Sequence, residues 1–148
     1  NSPVAAALVN MSAEPLSMLK TAVKYPDQNI IKTLIVRCSN SGITITSSVF
    51  KSAVRASQYD NVKLLIQIAP NIISRDAIKI AIKNNDDNML QIIGHINPNY
   101  GLLVACKYNR QKIIDTVIEL GANNFKEAYT IAVHNQHFEI INCLEKLL

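Results

Sequence analysis

SAVRASQYDNVKLLI, residues 52–66, holds two apolar stretches separated by a short polar break. Ala53 is followed by Val54 and then by the basic Arg55; the polar run Ser57-Gln58 comes next, and Val62, Leu64 and Leu65 follow. Apolar residues at helical spacing on both sides of a break predict a helix, a tight turn and a second helix.

The same layout recurs four more times. TAVKYPDQNIIKTLI starts at Thr21, IAIKNNDDNMLQII at Ile80, VACKYNRQKIIDTVI at Val104 and IAVHNQHFEIINCLE at Ile131. In each, an Ala (Ala22, Ala53, Ala81, Ala105, Ala132) precedes an apolar residue and then a Lys, Arg or His. Three positions before the Ala stand Leu19, Phe50, Ile78, Leu102 and Tyr129, on the same helical face. The small Ala permits close helix approach. Pro26 cannot continue a helix, and Asn85 and Asn109 suit a left-handed cap, so the breaks have chemical causes.

The second helix of each unit carries two columns expected to be buried. One is Ile31, Val62, Leu90, Ile114 and Ile141; the other, three residues on, is Leu34, Leu65, Ile93, Val117 and Leu144. One hairpin cannot cover such a stripe, whereas stacked hairpins bury it against their neighbours. The expectation is an all-α solenoid of about five hairpins, near residues 16–37, 48–69, 75–96, 99–120 and 125–148, within an array over 15–148. Residues 1–14, with Ser2 as a cap and Pro3 in the first turn, read as an additional helix covering the first hairpin.

The Ala-Val-Arg of residues 53–55 with Val62, Lys63, Leu64 and Leu65, and the LGAN run of Leu120–Asn123, resemble ankyrin repeats over Leu16 to Leu148. The Thr-Pro-Leu-His opening of that family is absent, and only His137 stands where its repeats carry a structural His. Successive alanines lie 31, 28, 24 and 27 residues apart, short of the family's period of about 33. The shortening therefore falls between hairpins, where ankyrin repeats project a β-hairpin finger. Asn97-Pro98-Asn99 is too short for a finger, while Ser39 to Ser48, with GITIT inside, is long enough. Another helical-hairpin solenoid, of the HEAT or tetratricopeptide kind, is the alternative architecture, although neither period fits.

Composition narrows function. The chain has 148 residues, 49% hydrophobic and 5% aromatic, with no Trp; aliphatic mass of this kind suits helix packing better than large aromatic-lined pockets. Net charge is +4, but the 15 basic residues are scattered among 11 acidic ones, which disfavours nucleic acid as a partner. Cys38, Cys106 and Cys143 are three widely spaced thiols in apolar settings, reading as buried and reduced in a cytoplasmic or nuclear compartment. No apolar stretch approaches the ~20 residues of a membrane span.

No catalytic apparatus is recognisable. His134, His137 and Glu139 could be read as a metal set, but the two histidines straddle a predicted turn, and a structural role weighs more. His95 near a helix end reads as a capping or solvated residue, and Asp86-Asp87 as a solvated turn. Cys106 and Cys143 have no placed base to activate them. The four glycines form no phosphate loop. No cofactor, metal or small-molecule substrate is expected.

One recurrent feature suits binding. Lys24, Arg55, Lys83, Lys107 and His134 hold the same place near the end of each first helix. At the usual ~8–10 Å between packed helices they form a basic ladder, spaced by about a Debye length, that attracts an acidic partner. Tyr25 and Tyr108, the next residues along, suit an interface core. A basic residue in a last helical turn is also favoured by the helix dipole alone.

The resemblance implies a non-catalytic protein-interaction module working through its concave helical face. Asn- and Ile-rich, Lys-biased repeats resemble ankyrin proteins of intracellular bacteria and large DNA viruses, which implies an effector acting on a host protein, in the host cell after secretion. The alternative is the targeting part of a larger enzyme, suggested by the absence of an initial Met. A third reading has the array ends stacking head to tail.

Overall fold

The structure, a computed structural model, describes residues 14–148. Residues 1–13 of the expected capping helix lie outside this range. The described chain is all-helical, without strands, and falls into two compact units, Asn1–Ala77 and Ile78–Leu148.

The first unit holds α1 (Pro15–Ala22), α2 (Gln28–Asn40), α3 (Ser47–Arg55), α4 (Tyr59–Ile68) and a 3-10 turn at Pro70–Ile72. Here α1 packs on both α2 and α3, and α3 packs on α4. Helix α5 (Arg75–Lys83) leads into the second unit. There α6 (Asp87–Ile93), a 3-10 turn (Gly94–Ile96), α7 (Pro98–Lys107), α8 (Gln111–Glu119), α9 (Phe125–His134) and α10 (Phe138–Glu145) follow. In that unit α7 pairs with α8, α9 with α10, α7 with α9, and α6 with α8. Within the units, α1 on α3 and α7 on α9 set first helix against first, and α6 on α8 sets second against second.

All five recurrent alanines are buried, none more than 1% exposed. At that burial any larger side chain would have to displace a neighbouring helix, which explains why the position stays small. Leu19, Phe50, Ile78 and Leu102 are buried as expected, and so are both second-helix columns as far as Val117. In the last hairpin Leu144 is buried, whereas Tyr129 and Ile141 are half-buried. Gly101 sets the α7–α8 approach, because a Cβ there would sit 3.0 Å from Val117 Cγ1.

The breaks share one backbone device. Ser57, Asn85, Asn109 and Gln136, each four residues after a recurrent Ala, take φ of +54, +54, +56 and +58°. The next amide returns to the Ala carbonyl: Gln58 N–H to Ala53, Asp86 to Ala81, Arg110 to Ala105 and His137 to Ala132, at 2.9–3.1 Å. This six-to-one bond and left-handed residue define a Schellman cap. In the first hairpin Pro26 holds the corresponding place and cannot take positive φ. Its turn closes instead through the Tyr25 amide on the Ala22 carbonyl, and Asp27 caps α2 by accepting from Ile30 N–H.

The finger for which Ser39 to Ser48 is long enough does not form among the described residues. Helix α2 runs on to Asn40, Gly42 takes φ +67°, and the Ile43 amide returns to the Cys38 carbonyl at 2.8 Å. That cap consumes the chain a second strand would need, and residues 43–46 run into α3 without strand pairing.

Candidate functional site

The predicted ladder residues occupy equivalent places. Arg55, Lys83, Lys107 and His134 are the last residues of α3, α5, α7 and α9, all exposed, and Lys24 lies just past α1. They do not behave alike.

In the second unit, Lys83 and Lys107 converge on one aromatic ring. The ammonium groups of Lys79, Lys83 and Lys107 lie 5.9, 5.2 and 5.6 Å from the Tyr108 ring centroid, within the range at which a cation is drawn to a ring face. Lys79 and Lys83 are one turn apart on α5 and so share a face, while Lys107 and Tyr108 come from the end of α7. Partial burial pushes the Tyr108 phenol up, but nearby Lys79 and Lys107, a hydrogen bond with Lys79, and Lys83 together bring it below the ordinary tyrosine value. Among the described residues no acidic side chain pairs with these lysines; the ion pair present is Lys51–Asp76, at 3.7 Å in the first unit.

Arg110 ties together the backbone that carries the cluster. Its Nε and Nη2 donate to the carbonyls of Ile82 and Lys83 at 3.2 and 2.8 Å, and its Nη1 donates to Tyr108 O at 3.1 Å. One guanidinium thus joins the backbone of Lys83 to that of Tyr108, and it shares the Ile82 carbonyl with the Asn85 amide.

In the first unit Tyr25 is engaged through its backbone. Asn61, 1% exposed, donates from Nδ2 to Val23 O and Tyr25 O at 2.9 and 2.8 Å. His137 plays a comparable part, with its Nδ1 lying 2.7 Å from the Cys106 carbonyl. His134 and His137 are therefore separated in role, one on the surface and one between hairpins. Among the described residues no three His, Cys, Asp or Glu side chains gather as a metal site.

Cys38 and Cys106 are buried as expected, but Cys143 is only half-buried. Burial pushes the Cys106 thiol up to about 12, with Cys143 adding to the rise, so it is a protonated packing group at neutral pH. His95 lies exposed in the 3-10 turn Gly94–Ile96. Two concavities, about 460 and 430 Å³, are lined by residues such as Ile45, Pro70 and Ile73, and Phe125, Leu147 and Leu148, and neither includes Tyr108. The basic cluster is built of exposed and half-exposed side chains, which suits a group carried on a partner.

Sequence reasoning missed Lys79, Arg110 and Asn61. A signal for Lys79 existed: Lys20, Lys51 and Lys79 each stand two positions before a recurrent Ala. Arg110 had none, because no basic donor recurs at the matching places, which hold Asp27, Gln58, Asp86 and His137.

The fold defines a protein of paired helices joined by Schellman-capped turns. No protein-family profile, curated protein or solved structure matches the chain. No helix of the described residues is long and apolar enough to cross a membrane.

Proposed function

We propose that this chain is a non-catalytic interaction module: a solenoid of about five ankyrin-like hairpins, lacking projecting fingers, that binds an acidic partner protein through its first helices and their basic edge. The observation that carries this reading is the convergence of Lys79, Lys83 and Lys107 on Tyr108 without an acidic neighbour. Clustered like charges cost stability unless something opposes them, and an exposed cationic patch around an aromatic ring speeds encounter with a complementary surface. Tyr supplies contact area at low entropic cost. Periodic Schellman turns, buried alanines and helix-to-helix stacking within each unit support the repeat reading.

The test is affinity capture from a eukaryotic lysate with mass spectrometry, run in parallel on the intact chain and on Lys83→Glu/Lys107→Glu. A protein retained by the first and lost from the second, with equal helix content in both, supports the proposal. Identical capture by both contradicts it.

A further inference from the structure

We propose that the Lys79, Lys83, Lys107 and Tyr108 cluster receives a phosphate monoester, the phosphorylated serine or threonine side chain of a partner protein. This rests on the reading of the chain as an interaction module and specifies the group that its basic edge takes.

Three ammonium groups stand within 5.9 Å of one ring centroid, and none is neutralised by an acidic side chain among the described residues. A carboxylate brings one charge and would leave most of this field unopposed. A phosphate monoester brings about −1.5 to −2 charges and three acceptor oxygens at neutral pH, which match three separate point-charge donors. Donor type is compatible: lysine binds phosphate as a compact point charge with rotatable donors, and three lysines supply such charges from separate positions. The Tyr108 hydroxyl adds a donor at the edge of the cluster.

Helix ends act in the opposite sense, because the last turns of α5 and α7 present carbonyl oxygens that repel an anion. Arg110 offsets that repulsion. Its guanidinium occupies the Ile82, Lys83 and Tyr108 carbonyls, placing a positive charge where the helix ends would be negative and fixing Lys83 beside Tyr108. The lysines reach the cluster from two helices, so docking one phosphate bridges α5 and α7. Lys83 and Lys107 are exposed, which fits a side chain presented on a protein surface.

The test is solution NMR of the full, isotope-labelled chain, following the Tyr108 ring and amide signals during titration with inorganic phosphate, end-blocked phosphoserine, end-blocked glutamate and a single-stranded oligonucleotide. Phosphoserine should shift Tyr108 with a dissociation constant at least about tenfold lower than glutamate, and Lys79→Gln or Lys107→Gln should each weaken it by about five- to tenfold. Both variants alter exposed or half-exposed side chains, and their helix content is checked by circular dichroism. Four results would overturn the proposal: no shift at Tyr108, equal binding of glutamate, inorganic phosphate binding more than about tenfold tighter than phosphoserine, or tighter binding of the oligonucleotide at the same residues. If phosphoserine fails while Lys83→Glu/Lys107→Glu still abolishes protein capture, the phosphate assignment falls and the interaction reading stands. Loss of neither capture nor phosphoserine binding in the lysine variants overturns both.

Discussion

His137 donates its Nδ1 hydrogen to the main-chain carbonyl of Cys106, 2.7 Å away, and so ties the start of one hairpin's second helix to the end of the preceding hairpin's first. A carbonyl only accepts, which fixes the proton on Nδ1. Arg110 does the same to Ile82, and Asn61 to Val23. Each accepting carbonyl belongs to the residue directly after a recurrent Ala, in the last turn of a first helix or just past it. Three chemically different side chains thus fill one periodic role.

Removing this clamp should cost stability without changing the fold. His137→Ala is expected to lower the unfolding free energy by about 1–2 kcal/mol, the cost of a half-buried carbonyl losing its donor. Urea unfolding followed by circular dichroism measures it. A loss under a few tenths of a kcal/mol would mean that the bond contributes nothing.

Arg110 serves three carbonyls, so Arg110→Ala should cost more, about 2–3 kcal/mol, and Arg110→Lys should recover little of it because an ammonium lacks the fork. Full rescue by lysine, read in the same urea unfolding, would show that charge alone matters at this place.

The left-handed turns give an opposite sign. Gln136 holds φ +58°, a conformation that costs a side chain with a Cβ about 1 kcal/mol or more. Gln136→Gly is expected to raise stability by about 0.5–1 kcal/mol, and the β-branched Gln136→Val to lower it by a similar amount. Differential scanning calorimetry separates the two; equal melting temperatures would refute the turn assignment.

Tyr108 and Tyr129 should titrate on opposite sides of an ordinary tyrosine. Tyr108 is lowered by its lysines, whereas the hydrogen bond to Glu145 and then burial raise Tyr129. A folded-state value lowered below the unfolded one adds stability only above the unfolded value, at alkaline pH, and loses it as pH falls through the folded value. Phenolate absorbance during a pH titration, with Tyr108→Phe for assignment, reads this directly. Lys79→Gln should move the Tyr108 transition upward, and an unmoved transition would place Lys79 away from the ring in solution.

Much of the architecture could be read from spacing. The buried alanines, the apolar columns and the breaks at Pro26, Asn85 and Asn109 follow from local rules, because each helix must bury one stripe and each turn must escape helical geometry. Ser57 and Gln136 were not legible as left-handed residues, since neither is Gly or Asn and the cap geometry imposes the conformation on them. No finger forms near GITIT among the described residues, because α2 runs to Asn40 and its cap at Gly42 leaves too little chain. Of the predicted ladder, the structure brings together Lys83, Lys107 and Tyr108 and adds Lys79. Such convergence depends on how α5 meets α7, a tertiary relation that no single repeat encodes. The Arg110 clamp was equally hidden, because its hydrogen bonds reach 27 and 28 residues back along the chain.

Calorimetric titration of the captured partner into the intact chain and into Lys83→Glu/Lys107→Glu, at low and high salt, tests the central claim most directly. A binding surface centred on the Tyr108 cluster predicts at least about tenfold weaker binding by the double variant at low salt, with the gap narrowing as salt rises. Equal affinity for both proteins, with folding intact, would contradict it.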